Sequence, residues 1–194
     1  MQRLLIITLF CFAGLALQAQ HETLFGQARV VGGFGGPIWE FGLNNDIGTA
    51  AGGGGGIVIN SVFIGAYGVG SIDFNQLFDE GDVDVLDLGH GGIWIGGTYR
   101  PSSLLHLYAS GRIGWGALNV EFDGNQNYRD IDKVFVLTPE IGVELNVTRW
   151  FRVAGTIGYR YLQGANEDLG YKDEDFSGTM IGLTARFGWF GRRR

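Results

Sequence analysis

Charged side chains recur at alternating positions in the second half of the chain, where they could form a buried ionic network. The set comprises Glu140, Glu144, Arg112, Arg152, Arg160 and Arg186. Each stands on the polar side of a segment in which apolar and polar residues alternate, a pattern typical of a two-faced β-strand. Counted from the turns, Glu144 is expected opposite Arg152 and near Arg112, with Arg186 close to Arg152. Buried charges must be paired and hydrogen-bonded, so we expect a structural network of ion pairs.

The histidines offer no convincing catalytic arrangement. His106 and Ser110 share one strand face but lie about 13 Å apart at roughly 3.3 Å per residue. A nucleophile and its base must approach to roughly 2.6–3.2 Å. His90 is expected at a different depth from His106, and His21 precedes the first strand. We therefore predict no catalytic residues and no enzyme, with an outer-membrane lipid-modifying enzyme kept as an alternative.

Acidic residues cluster in two polar connections between the expected strands. These residues are Asp79, Glu80, Asp82, Asp84, Glu167, Asp168, Asp173, Glu174 and Asp175. Hard cations prefer such oxygen ligands, but neither cluster has the spacing of a calcium-binding loop. We predict solvated acidic loops, no metal site and no cofactor. A loose contact with divalent cations stays open as the alternative.

The N-terminal residues resemble a secretory signal, with Arg3 ahead of the apolar stretch 4–17. We expect cleavage after Ala19, so that residues 1–19 form the signal peptide and residues 20–194 form one domain. The only cysteine, Cys11, lies inside this leader. The remaining chain carries 20 acids and 13 bases (14 less Arg3), a net charge of −7. Such an acidic chain is not expected to bind nucleic acid.

Eight segments are expected to be strands, and the connections between them alternate in length. The segments are residues 27–43, 49–60, 62–74, 87–100, 104–122, 134–147, 150–163 and 176–190. Short turns are expected at 60–61, 100–103 and 146–148, and longer connections at about 44–49, 75–86, 123–133 and 164–175. Short turns at one end and long loops at the other are typical of an outer-membrane barrel. The fold class predicted is all-β, an eight-stranded antiparallel up-and-down transmembrane β-barrel.

Aromatic residues near the ends of the strands indicate which face of the sheet meets lipid. One group comprises Tyr99, Trp150, Phe151, Trp189 and Phe190, and the other comprises Phe41, Phe122, Phe135, Tyr159 and Tyr161. Two aromatic girdles mark the two interfaces of a membrane barrel. We therefore expect the apolar faces outward and the polar faces in the lumen. A soluble lipocalin-like binding barrel, with its apolar face inside, is the alternative.

Glycine-rich segments are expected to shape the first strands. The run 52–56 should let the wall bend and leave interior room for Trp94, while 35–37 should form a β-bulge. A register slip there would turn both Arg29 and Glu40 inward.

The chain resembles the small eight-stranded outer-membrane barrels of the OmpA/OmpX type, and more closely the exported barrel proteins of Bacteroidota-type bacteria. The resemblance rests on the leader junction 17–20, the Gly-rich opening 32–37, the glycine run 52–56 and the aromatic end 186–190. Its C-terminal end departs from the usual assembly signal, because residues 191–194 follow Phe190 where an aromatic residue normally closes the chain.

The resemblance implies a location in the outer membrane, a monomeric protein, and contacts with outer-membrane lipid and the barrel-assembly machinery. It implies little about activity. We expect a non-enzymatic barrel whose lumen is filled by side chains and whose acidic loops face outward, serving envelope integrity or surface contact. A narrow ion-conducting pore is the alternative.

Overall fold

The computed structural model describes residues 28–43, 48–72, 85–121, 130–165, 172–174 and 176–191. Its strands are β1 (Val30–Gly42), β2 (Thr49–Ile59), β3 (Val62–Ser71), β4 (Val85–Tyr99), β5 (Leu105–Glu121), β6 (Asp130–Asn146), β7 (Phe151–Gln163) and β8 (Gly178–Phe190). Each strand pairs antiparallel with the next, and β8 pairs with β1 to close the barrel. The predicted fold class is confirmed. β6 begins at Asp130 rather than at 134, so residues 130–133 belong to the wall.

The short connections are held by local hydrogen bonds. Asn60 and Arg100 adopt positive φ angles of 56° and 57°, the left-handed conformation that a tight turn requires. In the third turn, the Thr148 hydroxyl accepts hydrogen bonds from the backbone N–H groups of Trp150 and Phe151 at 3.3 and 3.0 Å. These turns lie at the same end of the barrel as the start of β1 and the end of β8. The long connections run between strands at the opposite end.

Side chains alternate between a buried interior and an exposed apolar exterior. On β6, Thr138 and Glu144 are fully buried, whereas Ile141 is 59% exposed. The same alternation continues on β7, where Arg160 is buried and Ile157 is exposed. The apolar face therefore points outward, as expected for a barrel surrounded by lipid. The alternative of a soluble barrel with an apolar lumen is wrong for this arrangement. No helix in the described part of the chain is long and apolar enough to cross a membrane.

The glycine run of β2 is a regular strand that leaves space inside the barrel. A Cβ atom added at Gly54 would lie 2.8 Å from the Ala66 carbonyl oxygen and 3.0 Å from the Trp94 ring. Real Cβ contacts are almost never this short, so glycine at 54 makes room for the Trp94 indole inside the barrel.

The expected bulge at 35–37 was wrong. The β1–β2 register runs without a break from Gly32 to Phe41, and the only shift in this pairing lies between Val30 and Gly32. On the other side of β1, the pairing with β8 is interrupted at residues 36–37. It resumes at Ile38 in the same register. Proline has no N–H to donate to this ladder. Glu40 therefore faces inward without a slip, while Arg29 is exposed.

Gly54→Ala should destabilise the barrel by about 1–3 kcal/mol, the usual cost of overpacking a filled interior. The measurement is the urea unfolding midpoint of the purified protein in detergent. Gly68→Ala is the matched control, because a Cβ at Gly68 on β3 meets nothing within 4 Å. Equal unfolding midpoints for the two variants would show that contact with Trp94 does not prevent a larger side chain at residue 54.

Candidate functional site

The lumen contains a first ionic cluster around Glu144 near the short turns. Its carboxylate accepts hydrogen bonds from Arg152 Nη1 at 2.9 Å and from Arg186 Nη1 at 2.6 Å. His106 Nε2 lies 2.9 Å from the same carboxylate, since His106 and Glu144 are direct partners across β5 and β6. Glu144 is fully buried. The structure thus brings together Glu144, Arg152 and Arg186, as the strand register indicated.

A second cluster lies toward the long connections and is centred on Arg112. Arg112 Nη1 is 2.5 Å from Glu40 Oε1, and Arg112 Nη2 is 3.4 Å from Glu140 Oε2. Arg160 forms an ion pair with the other oxygen of Glu40. Glu140 also accepts hydrogen bonds from the Ser110 hydroxyl and, at 3.0 Å, from the Thr156 hydroxyl. One guanidinium therefore bridges two buried carboxylates.

Arg112 does not lie near Glu144 as expected. Its partner across β5 and β6 is Thr138, six residues before Glu144. Six residues of strand span about 20 Å, too far for a side-chain contact. The expectation failed because counting from the turns placed Arg112 too close to the short-turn end. Arg112 pairs with Glu40 where Glu144 was expected. Glu40 lies on β1, and the expected pairs had been sought only among the last four strands. Its inward position follows from the unbroken register of β1 with β2.

Aromatic rings accommodate the excess positive charge of the lumen. Among the described residues the buried ionic side chains are three glutamates and four arginines, besides two histidines. The Arg186 guanidinium lies 3.9 Å from the ring centre of Phe34 and 4.6 Å from that of Phe63. Arg152 lies 4.0 Å from the ring centre of Phe190. Such cation–π contacts stabilise a desolvated cation by about 2 kcal/mol. Arg152 and Arg186 can therefore share the single carboxylate of Glu144.

The assignment of Phe190 to the outer girdle was therefore wrong. Its ring packs inside the barrel against Phe34 at 6.1 Å, because Trp189 beside it points outward and adjacent strand residues face opposite sides. The girdle residues Tyr99, Trp150, Trp189, Phe41, Tyr159 and Tyr161 are exposed on the outer wall. Phe151 stacks on Phe187 at 4.7 Å, and Phe135 meets Trp115 edge-on at 5.8 Å. Phe122 lies outside the described residues.

An apolar layer of buried side chains lies in the lumen toward the long connections. It consists of Leu88, Leu118, Val134, Val136, Leu162 and Phe176. At the other end, the rings of Phe34, Phe63, Trp94 and Tyr108 pack with Val58 and Ile38. The Glu144 cluster lies among these rings, since Arg186 contacts Phe34 and Phe63. The sequence patterns pointed to the charges but not to the interior aromatic group. Three of its members, Phe34, Phe63 and Trp94, lie on β1, β3 and β4, where glycine makes alternation hard to read.

His90 and His106 have separate structural contacts, and His21 lies outside the described residues. His90 Nδ1 lies 3.1 Å from the Tyr67 hydroxyl. His106 contacts Glu144 and the Ser103 carbonyl, whereas Ser110 contacts Glu140 and Trp94. His106 and Ser110 are therefore held by different partners. Within the described ranges, no group of three or more His, Cys, Asp or Glu residues could hold a metal ion.

Most of the acidic-loop residues lie outside the described part of the chain. These are Asp79, Glu80, Asp82, Asp84, Glu167, Asp168 and Asp175. Asp173 Oδ1 accepts hydrogen bonds from the backbone N–H groups of Gly164 and Ala165, both at 2.8 Å. Glu174 is exposed. Asp173 therefore supports the chain where it leaves β7.

A closed barrel that is apolar outside and ionic inside defines the class of integral outer-membrane barrels. The chain belongs to the family described as outer membrane protein beta-barrel domain, which matches residues 7–187. A search of curated proteins found no match to the sequence.

Solved structures share the fold. The crystal structure of Neisserial surface protein A (NspA) has a TM-score of 0.55 and 12% identity over 84% of this chain and 97% of that chain. The solution structure of outer membrane protein H (OprH) from P. aeruginosa has a TM-score of 0.52 and 17% identity over 81% and 99%. Ail of Yersinia pestis has a TM-score of 0.48 and 13% identity over 83% and 100%. At these identities the likeness to NspA and OprH concerns the fold alone.

Glu144→Ala should lower the free energy of unfolding by about 3–5 kcal/mol, because it leaves two buried arginines without their carboxylate. Glu174→Ala is the control, since this carboxylate is exposed beyond β7. Urea titration in detergent, followed by tryptophan fluorescence, measures both variants. A Glu144→Ala midpoint equal to that of the control would mean that the cluster does not stabilise the barrel.

Proposed function

We propose that this protein is a non-enzymatic, monomeric outer-membrane scaffold whose closed barrel displays acidic connections at the cell surface for envelope integrity or surface contact. The observation that carries the proposal is the filled lumen. Charged side chains are paired across five strands, and an apolar layer lies above them. A rigid scaffold with no open interior leaves its connections as the natural place for contacts with other molecules.

The distribution of charge between the two ends supports this arrangement. The connections at 43–48, 72–84, 122–129 and 164–177 contain 12 acids and 2 bases in the sequence. The turns at 60–61, 100–104 and 147–150 contain Arg100 and Arg149 and no acid. We infer that the acidic end faces the exterior and that both termini lie in the periplasm after cleavage at Ala19. Divalent cations would link these carboxylates loosely to an acidic lipid surface.

The proposal includes the partners expected of such a barrel. The exposed apolar wall would contact outer-membrane lipid, and the C-terminal strand would be recognised by the barrel-assembly machinery. Trp189 offers an exposed aromatic side chain at the end of that strand, whereas the Phe190 ring faces the lumen. The separate partners of His90 and His106 favour a non-enzymatic role. A lipid cleavage or transfer assay on wild type and on variants of these histidines would expose an activity if there is one.

Removing the acidic connections should abolish the biological role while leaving the barrel folded. Residues 73–84 and, separately, residues 166–171 would be replaced by short Gly-Ser linkers, so that the strands stay intact. We expect increased detergent sensitivity of the cells, or reduced surface binding, for at least one trimmed variant. A heat-dependent gel shift would verify folding. If both trimmed proteins behave as wild type and only lumen variants show a phenotype, the connections are not the functional element.

The closed scaffold and the pore alternative differ in the conductance that they predict. We expect no stable single-channel current from the wild-type protein in planar bilayers, because paired charges and the apolar layer obstruct the lumen. Val136→Ser, which weakens the apolar layer, serves as a comparison in the same bilayers. A stable wild-type conductance that changes with Arg152→Gln would favour an ion path and overturn the closed scaffold.

A further inference from the structure

A groove of about 530 Å³ crosses the outer wall at the long-connection end of β5, β6 and β7. It is lined by Trp115, Gly116, Lys133, Val134, Phe135 and Gln163. Trp115 is 63% exposed and meets Phe135 edge-on. These two rings form a wall, and the backbone at Gly116 and Val134 forms the floor. This groove is separate from the lumen clusters, because Trp115, Lys133 and Gln163 are exposed on the outer wall and only the backbone of Val134 faces it.

Position along β6 orders its outward-facing residues by depth in the membrane, and the register gives their neighbours on β5 and β7. Trp115, Phe135 and Gln163 form one row across the three strands. Lys133 stands one outward-facing position closer to the long connections, opposite Ala117. The next row toward the barrel centre is Ile113, Leu137 and Tyr161. Along β6 the Lys133 cation therefore lies nearest the long connections, the Phe135 ring follows, and the aliphatic Leu137 comes next. The Gln163 amide stands beside the aromatic rings, in the same row as Phe135.

This order matches the order of groups in an anionic lipid. Lys133 is exposed and makes no ion pair within the described part of the chain. It is a base in a region whose connections are strongly acidic, so it offers the positive charge that a phosphate requires. Its aliphatic stem can lie along the wall while the amine reaches the headgroup level. Exposed aromatic side chains at this depth pack well at a membrane interface.

We propose that this groove binds a phosphorylated glycolipid of the outer leaflet. The phosphate lies against the Lys133 amine, sugar hydroxyls face the Gln163 amide, and acyl chains follow Trp115 and Phe135 toward Leu137. The groove spans three strands, about 10 Å at the usual strand spacing, which suits a headgroup with several chains. The choice of leaflet rests on the proposed outward orientation of the long connections. It does not require those connections to be functional.

Native mass spectrometry tests this site. It measures how much bis-phosphorylated lipid A the purified full-length chain retains in detergent. Lys133→Gln should weaken lipid A binding about fivefold, the effect of one surface cation on an anionic lipid. Trp115→Leu should weaken it as well. Lys172→Gln and Trp189→Leu are the controls, because Lys172 lies beyond β7 and Trp189 is equally exposed at the opposite end. A heat-dependent gel shift verifies that every variant is folded.

The outcomes separate this site from other sources of binding. Removing the phosphates from lipid A should weaken its binding to the wild-type protein. The loss should equal the loss caused by Lys133→Gln with intact lipid A. Equal retention by Lys133→Gln and wild type, or an equal loss in Lys172→Gln, would overturn the site. Equal binding of phosphatidylglycerol would overturn the glycolipid assignment. Protein with residues 73–84 removed should still bind lipid A. The lipid site can therefore be confirmed even if the trimming experiments contradict the surface-contact role.

Discussion

The burial of ionised groups in a narrow lumen is the constraint on which the rest of this structure depends. Glu40, Glu140 and Glu144 are buried, and each is acceptable there only because guanidinium or hydroxyl groups surround it. Those partners come from strands far apart in sequence, as in the contact between Glu40 and Arg160. Closing β1 against β8 is therefore coupled to pairing the charges, since the barrel must close before Glu40 can reach its arginines.

The wall and the interior are fitted to one another by side-chain size. Trp94, Phe63 and Arg186 are large and fully buried. Trp94 occupies space that a side chain at residue 54 on β2 would fill. Glycine at 54 removes that conflict. The aromatic group then supplies faces for Arg186, so that glycine in the wall indirectly supports the ionic cluster. A glycine-rich strand here is consistent with close packing rather than with flexibility.

The alternation of short turns and long connections was enough to predict the barrel. The period-two pattern on β5 to β8 separated two faces, and the aromatic residues at the strand ends indicated that the face with Glu144, Arg152 and Arg186 points inward. These patterns could not predict which charges meet. An error of a few residues in register along tilted strands moves a partner out of reach, and this misplaced Arg112. Glu40 was missed as a partner because its glycine-rich strand shows little alternation. Phe190 was misassigned because an aromatic residue at a strand end can face either side, and only its neighbour Trp189 decides.

This architecture also explains where the chain is free to acquire new contacts. A change at Glu144 or Arg186 affects several partners at once, since each contacts at least two other buried side chains. Outward-facing positions such as Lys133 and Gln163 have no such coupling, because neighbouring strand residues face opposite sides of the wall. Selection can therefore alter the lipid-facing surface and the connections without disturbing the closed interior. Recognition is expected to develop on those two surfaces, while the lumen retains the paired charges that keep the barrel closed.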